Sequence, residues 1–102
     1  KLVGYIFGNI LTGNRKKHCM NLAIAILQEY TGKGYGTKLM NILEKYAINN
    51  GITRLELEVS KKNKIAISLY QKIGLEVEGV KRNAFLVNGK HEDELLMAKI
   101  IK

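Results

Sequence analysis

Three glycines stand within five residues of the stretch EYTGKGYGTKLM, at Gly32, Gly34 and Gly36, directly ahead of an apolar pattern of helical spacing. A backbone this bare at the mouth of a helix suits an anion. The N–H groups of a first helical turn have no intrahelical partner, and the helix dipole favours negative charge there. Glycine also removes the Cβ that would hold a phosphate off the amides. A loop that only needs flexibility would use glycine too. Two nucleotide motifs fail. A P-loop needs Gly-Lys followed directly by Ser or Thr, but Lys33 is followed by Gly34. A dinucleotide fingerprint needs its last Gly or Ala at Thr37 or Leu39.

A second group of residues carries chemistry further on. LELEV places Glu56 and Glu58 on one face of an alternating segment. Asn63, Ala66, Tyr70 and Gly74 follow at spacings of three, four and four. His18 is a further candidate base, since an unperturbed imidazole titrates near pH 6.5.

These residues need elements to position them. Residues 2–11 are rich in Val, Ile, Tyr and Phe and read as a strand. A turn cluster, TGNRKK, comes next. Residues 21–27 hold a continuous apolar run of strand length, read as a strand buried on both faces. From Thr37 to Asn50, the residues Leu39, Met40, Leu43, Tyr46 and Ala47 trace one helical face. Asn49-Asn50-Gly51 supplies the stop. Residues 55–59 alternate as a strand does. Ile65, Ala66, Leu69, Tyr70 and Ile73 return to helical spacing, ended by Gly74. Residues 75–87, an Asn88-Gly89 turn and a strand around residues 94–101 form a closing hairpin. The order strand, strand, helix, strand, helix, strand, strand predicts an α/β (α+β) domain. Its sheet is mixed and largely antiparallel around one central parallel strand–helix–strand unit.

Composition bounds the function. With 102 residues the chain forms one domain. Hydrophobic residues make up 46% and charged residues 25%, which is globular rather than disordered composition. The longest apolar run, Leu22 to Leu27, is too short to cross a membrane as a helix. The single cysteine, Cys19, has no internal disulfide partner and fits a reducing cytoplasm. Without a Cys/His cluster no metal is expected. The formal net charge of +8 suits a polyanion or a phosphorylated cofactor, or simply a solvated basic surface. The densest basic run, Arg15 to His18, lacks the interleaved aromatics of single-strand binders.

The stretch around Gly34 and Gly36 resembles motif A of the GNAT superfamily of acetyl-CoA-dependent N-acetyltransferases. That motif is Arg or Gln, two residues, Gly, one residue, then Gly or Ala, between a buried strand and a helix. Thr31 departs from it, standing where the Arg or Gln should be. The segment LEVSKKNKIAISLYQKIGLEVEG resembles motif B, with Asn63, Ala66, Tyr70 and Gly74 at the motif's spacing. The tail RNAFLVNGKHEDELLMAKII resembles the closing hairpin of one bacterial branch. The resemblance runs in order from about Gly4 to the end. It implies a single GNAT domain over residues 1–102 that lacks the family's N-terminal strand and helices, one wall of the acceptor groove.

Acetyl transfer from a thioester to an amine sets four requirements: a deprotonated amine, a donor for the developing oxyanion, a proton for the leaving thiolate, and alignment. By the resemblance, the backbone of Ile24, Ala25 and Ile26 pairs with the pantetheine arm, and Ile26 N–H is the candidate oxyanion donor. Thr31, Gly32, Lys33, Gly34, Tyr35, Gly36 and Thr37 wrap the pyrophosphate. Tyr70 is the candidate general acid; by helical spacing alone it is a core aromatic. Asn63 contacts the pantetheine arm or an ordered water, or simply caps its helix, with Ala66 beside it. Glu58 leads His18 as candidate base. The expected activity is transfer of acetyl from acetyl-CoA to a primary amine of a small molecule or protein N-terminus. A basic RNA- or polyanion-binding module and an inactive CoA-binding regulator are the alternatives. Neither nucleic acid nor membrane is an expected partner, a homodimer is left open, and the net charge argues against polycationic acceptors.

Overall fold

The computed structural model describes residues 4–11, 18–26 and 34–101. Five strands and two helices follow in the expected order: β1 (Gly4–Ile10), β2 (Cys19–Ile26), α1 (Tyr35–Asn49), β3 (Arg54–Ser60), α2 (Lys64–Lys72), β4 (Glu76–Val87) and β5 (Lys90–Ile100). They form one sheet in the order β1-β2-β3-β5-β4. Only β2 and β3 run parallel; the other neighbours are antiparallel. The parallel pair brackets α1, as a strand–helix–strand crossover requires.

Alternation in β3 sorts the two faces of the sheet. Leu55, Leu57 and Val59 are buried, and their cross-strand partners are Lys99, Met97 and Leu95. They join Met20 and Leu22 of β2, Met40 and Ala47 of α1, Ile52, Ile73 and Leu75 in one core. Ala66, Ile67, Leu69 and Tyr70 bring α2 onto the same core. The other face of β3 carries Arg54, Glu56, Glu58 and Ser60.

The helices meet the sheet by a narrower stripe than the apolar pattern suggests. Gly36, Met40 and Ala47 are the buried residues of α1, while Tyr46 is 58% exposed. At 100° per residue Tyr46 points roughly 90° away from that stripe. In α2, Ile67 rather than Ile65 packs on the core; Ile65 is 62% exposed. Lys99 ties both helices to β5. Its Nζ donates to Glu44 Oε2 of α1 at 2.6 Å and to the Ile73 carbonyl beyond α2 at 3.3 Å.

Two glycine positions hold turns that other residues strain to make. Gly74 ends the α2 segment at φ +104° with the Lys99 stem against it. Asn88 and Gly89 both take positive φ, 50° and 78°, the two-residue hairpin geometry. Leu55→Ala is expected to cost about 2–5 kcal/mol, and Ile42→Ala, at a 68% exposed site, to change stability by less than about 0.5 kcal/mol. Urea unfolding of the two variants measures both.

Candidate active site

The two parallel strands separate. β2 and β3 pair only through Cys19↔Arg54, Met20↔Leu55 and Asn21↔Glu56, although β2 continues to Ile26 and β3 to Ser60. Each outer edge stays zipped: β1 follows β2 as far as Gly4↔Ile26, and β5 follows β3 as far as Ser60↔Glu94. A notch therefore opens at the carboxyl ends of the parallel strands, where open α/β sheets bind ligands.

Backbone groups line this notch. Leu11 N–H donates to the Cys19 carbonyl at 3.0 Å, which makes that pair hydrogen-bonded and fixes the alternation along β2. Residues 20, 22, 24 and 26 thus turn N–H and C=O away from β1, toward β3. On the facing strand, Ile101 N–H donates to the Thr53 carbonyl at 3.0 Å, so Glu56, Glu58 and Ser60 turn their backbone toward β2. Beyond the Asn21↔Glu56 pair, the amides of Ile24, Ile26 and Glu58 have no ladder partner across the gap among the described residues. Strand edges left this way are templates for an extended ligand. Ala25 occupies the alternate position, with its backbone turned to Tyr5 of β1.

The N-terminus of α1 opens at the same end. Gly34 is its N-cap at φ 83°, with no capping side chain and no acidic residue in the first turn. Gly34 carbonyl accepts from Lys38 N–H at 3.1 Å, the first intrahelical bond of α1. Gly36 is buried in the core-facing stripe, Tyr35 is half-buried and Thr37 is exposed. Thr37 lines a cleft of about 260 Å³ with Met40, Asn41, Lys72, Ile73, Gly74 and Lys99. Thr31, Gly32 and Lys33 lie outside the described residues. The sequence reading missed Lys72. Its signal was a lysine in the last turn of α2, four residues beyond Ser68, which only the fold brings beside α1.

Asn63 caps α2. Its Oδ1 accepts from Ala66 N–H at 3.1 Å, and its own N–H donates to the Ser60 carbonyl at 3.0 Å. Ala66 and Tyr70 lie one turn apart, half-buried against the core. Tyr70 therefore stands on the helical side of the sheet, with its carbonyl accepting from Leu75 N–H at 2.9 Å.

Glu58 stands on the other side. It lies two residues past the last β2–β3 pair, and its Oε2 is 2.6 Å from Lys81 Nζ. Glu56 is half-buried and accepts from Arg54 Nε at 3.0 Å. Arg54 also grips Glu78 with both terminal nitrogens, at 2.7 and 2.9 Å. The hydrogen bonds it donates to Glu78 and Glu56 hold the Arg54 guanidinium above its ordinary range, and Arg54 holds the Glu78 carboxyl below its own. His18 is at the wrong end for a base. It precedes β2, and its carbonyl accepts from Thr53 and Arg54 N–H. Eight residues of strand, roughly 26 Å, separate it from Ile26. Among the described residues no group of three or more His, Cys, Asp or Glu is placed to hold a metal.

With this geometry, comparison with known proteins is direct. The model of the acetyltransferase (GNAT) family matches residues 1–75, which include both helices and the notch. The chain belongs to that family. The Escherichia coli K12 spermidine N(1)-acetyltransferase is 35% identical over 72% of this chain and 40% of its own. The E. coli L-amino acid N-acetyltransferase AaaT is 28% identical over 97% of this chain and 62% of its own. A GNAT acetyltransferase structure from Streptococcus pneumoniae superposes with a TM-score of 0.86 at 31% identity, over 98% of this chain and 61% of that one. The Salmonella typhimurium protein yncA, solved with its cofactor acetyl-CoA, shares the fold at a TM-score of 0.85 and 19% identity, over 98% of this chain and 58% of that one. The chain thus spans less than two thirds of the length of each of these relatives.

The Arg54–Glu78 grip predicts a pH dependence. A carboxyl whose folded pKa lies below its unfolded value adds stability above that unfolded value and loses it as pH falls through the folded one. Glu78→Gln is expected to lower stability by up to about 1 kcal/mol at pH 7. It should match the parent protein near pH 2, in thermal unfolding at both pH values.

Proposed function

We propose that the protein transfers acetyl from acetyl-CoA to a primary amine of a small molecule or protein N-terminus. The observation that carries this reading is the notch. Two parallel strands part beside a helix entered through Gly34 and left without a capping side chain or an acidic first turn. Such an edge takes an extended amide-bearing arm, and such a helix end takes a pyrophosphate. Lys72, in the cleft next to Thr37, suits the phosphorylated nucleotide end of the same molecule.

Each requirement of the reaction falls to one group of this chain. Ile24 and Ile26 offer backbone N–H groups to the pantetheine arm and to the acetyl carbonyl oxygen as it gains charge. Gly34, Tyr35, Gly36 and Thr37, with Thr31, Gly32 and Lys33, hold the pyrophosphate. Asn63 fixes the start of α2 and Ala66 keeps the space above it small. Glu58 accepts the proton that the attacking amine gives up as the C–N bond forms. Tyr70 gives its phenolic proton to the sulfur as the C–S bond breaks. Tyr70 lies on the helical face of the sheet and Glu58 on the other, so cofactor and acceptor would enter from opposite sides and meet in the gap.

The cofactor-binding elements and the candidate base then belong to one domain over residues 1–102. No helix among the described residues is long and apolar enough to cross a membrane. Cytoplasmic residence is supported by Cys19, a buried free thiol.

Calorimetric titration with acetyl-CoA, followed by thiol release against a panel of amines, tests the reading. Saturable binding and amine-dependent thiol release are expected. Tyr70→Phe should lower kcat about 10²–10⁴-fold while leaving the acetyl-CoA Kd within about twofold. Binding without turnover over the whole panel would favour a CoA-binding regulator. No binding at millimolar acetyl-CoA would sink the enzyme reading.

A further inference from the structure

One cation meets the candidate base, and a defect in the sheet aims it there. β4 pairs with β5 as Val77↔Met97 and then as Gly79↔Leu96, so Glu78 is an extra residue opposite no partner. Val80↔Leu95 and Lys81↔Glu94 follow. Had the register run on without the bulge, Lys81 would sit opposite Asp93, one residue out of phase. A one-residue slip sends every later side chain to the other face. The bulge therefore turns Lys81 onto the face that carries Arg54, Glu56 and Glu58. There it reaches over β5 from the edge strand and places Nζ 2.6 Å from Glu58 Oε2. Bulges often re-aim side chains beside active sites.

We propose that Lys81 is a positioning residue for the acetyl-transfer reaction: it holds the Glu58 carboxylate at the notch when no amine is bound. This inference rests on the reading of Glu58 as base. Other charges face Glu58 as well. Glu94 of β5 pairs with Ser60, diagonal to Glu58, and stands opposite Lys81; Glu56 precedes Glu58 on β3, and Arg54 is engaged with Glu56 and Glu78. From β2, that face presents Asn21 and Ala23 and no charge. With Arg54 committed to its own two carboxylates, Lys81 is the cation in contact with Glu58 among the described residues. Its ammonium is correspondingly held above its ordinary range, first by the hydrogen bond to Glu58. An incoming acceptor amine would approach the same carboxylate, so Lys81 must yield part of its contact as the acceptor binds.

The test is kcat and KM for acetyl transfer in the parent protein, Lys81→Met, Lys81→Arg and Glu58→Gln. A displaced catalytic group slows the chemical step. Lys81→Met should therefore lower kcat about tenfold with the amine KM within about twofold, while Lys81→Arg should restore kcat. The acetyl-CoA Kd should stay within about twofold in both. An unchanged kcat in Lys81→Met overturns the inference, as does a kcat that Lys81→Arg fails to restore. Glu58→Gln separates this from failure of the base itself. If Glu58→Gln keeps the parent kcat, Glu58 is not the base and the role of Lys81 falls with it.

Discussion

The organising feature is that the two parallel strands keep their outer neighbours to their ends but part from each other. β1 holds β2 through Ile26 and β5 holds β3 through Ser60, yet β2 and β3 share only three register positions. The separation costs ladder hydrogen bonds, since buried backbone groups seek partners. It leaves the amides of Ile24, Ile26 and Glu58 facing a gap rather than each other. A sheet that gives up inner pairing while keeping its rims creates a place for an extended ligand to complete it.

The rest of the molecule supports that gap. Leu55, Leu57, Val59, Met97 and Met20 seat both helices on one face. The parallel orientation of β2 and β3 then brings both helix N-termini to the notch end. Lys99, bonded to Glu44 and to the Ile73 carbonyl, joins α1, the end of α2 and β5 in one contact. The opposite face is built from charge. Arg54 closes the paired end with Glu56 and Glu78, and Lys81 meets Glu58 where the strands have parted. One face therefore carries both helices, and the other gathers the charges.

The charge distribution also qualifies a reading from composition. The net charge of +8 spoke against polycationic acceptors. Yet carboxylates of this basic chain gather on β3, β4 and β5, at Glu56, Glu58, Glu78, Glu92 and Glu94, and several already hold cations. Local arrangement, not the sum, decides the charge presented at any one face, because exposed charges beyond about 8–10 Å are screened.

The sequence by itself determined the elements and their order, because period-2 and period-3.6 patterns and the turn residues Gly51, Gly74 and Asn88-Gly89 are local signals. It also placed the helix entry at Gly34, the Asn63 cap and the family motifs, since each depends on a few adjacent residues. It misjudged Tyr46 and Ile65, whose apolar character matched a helical face that the sheet does not cover. Only the tertiary structure decided where β2 and β3 part, which backbone groups face the gap, and that His18 lies at the far end of its strand. It alone put Tyr70 and Glu58 on opposite faces. Lys81 shows the reason most plainly. Its meeting with Glu58, twenty-three residues earlier, depends on a bulge at Glu78 and on the order of three strands, and no local pattern encodes either.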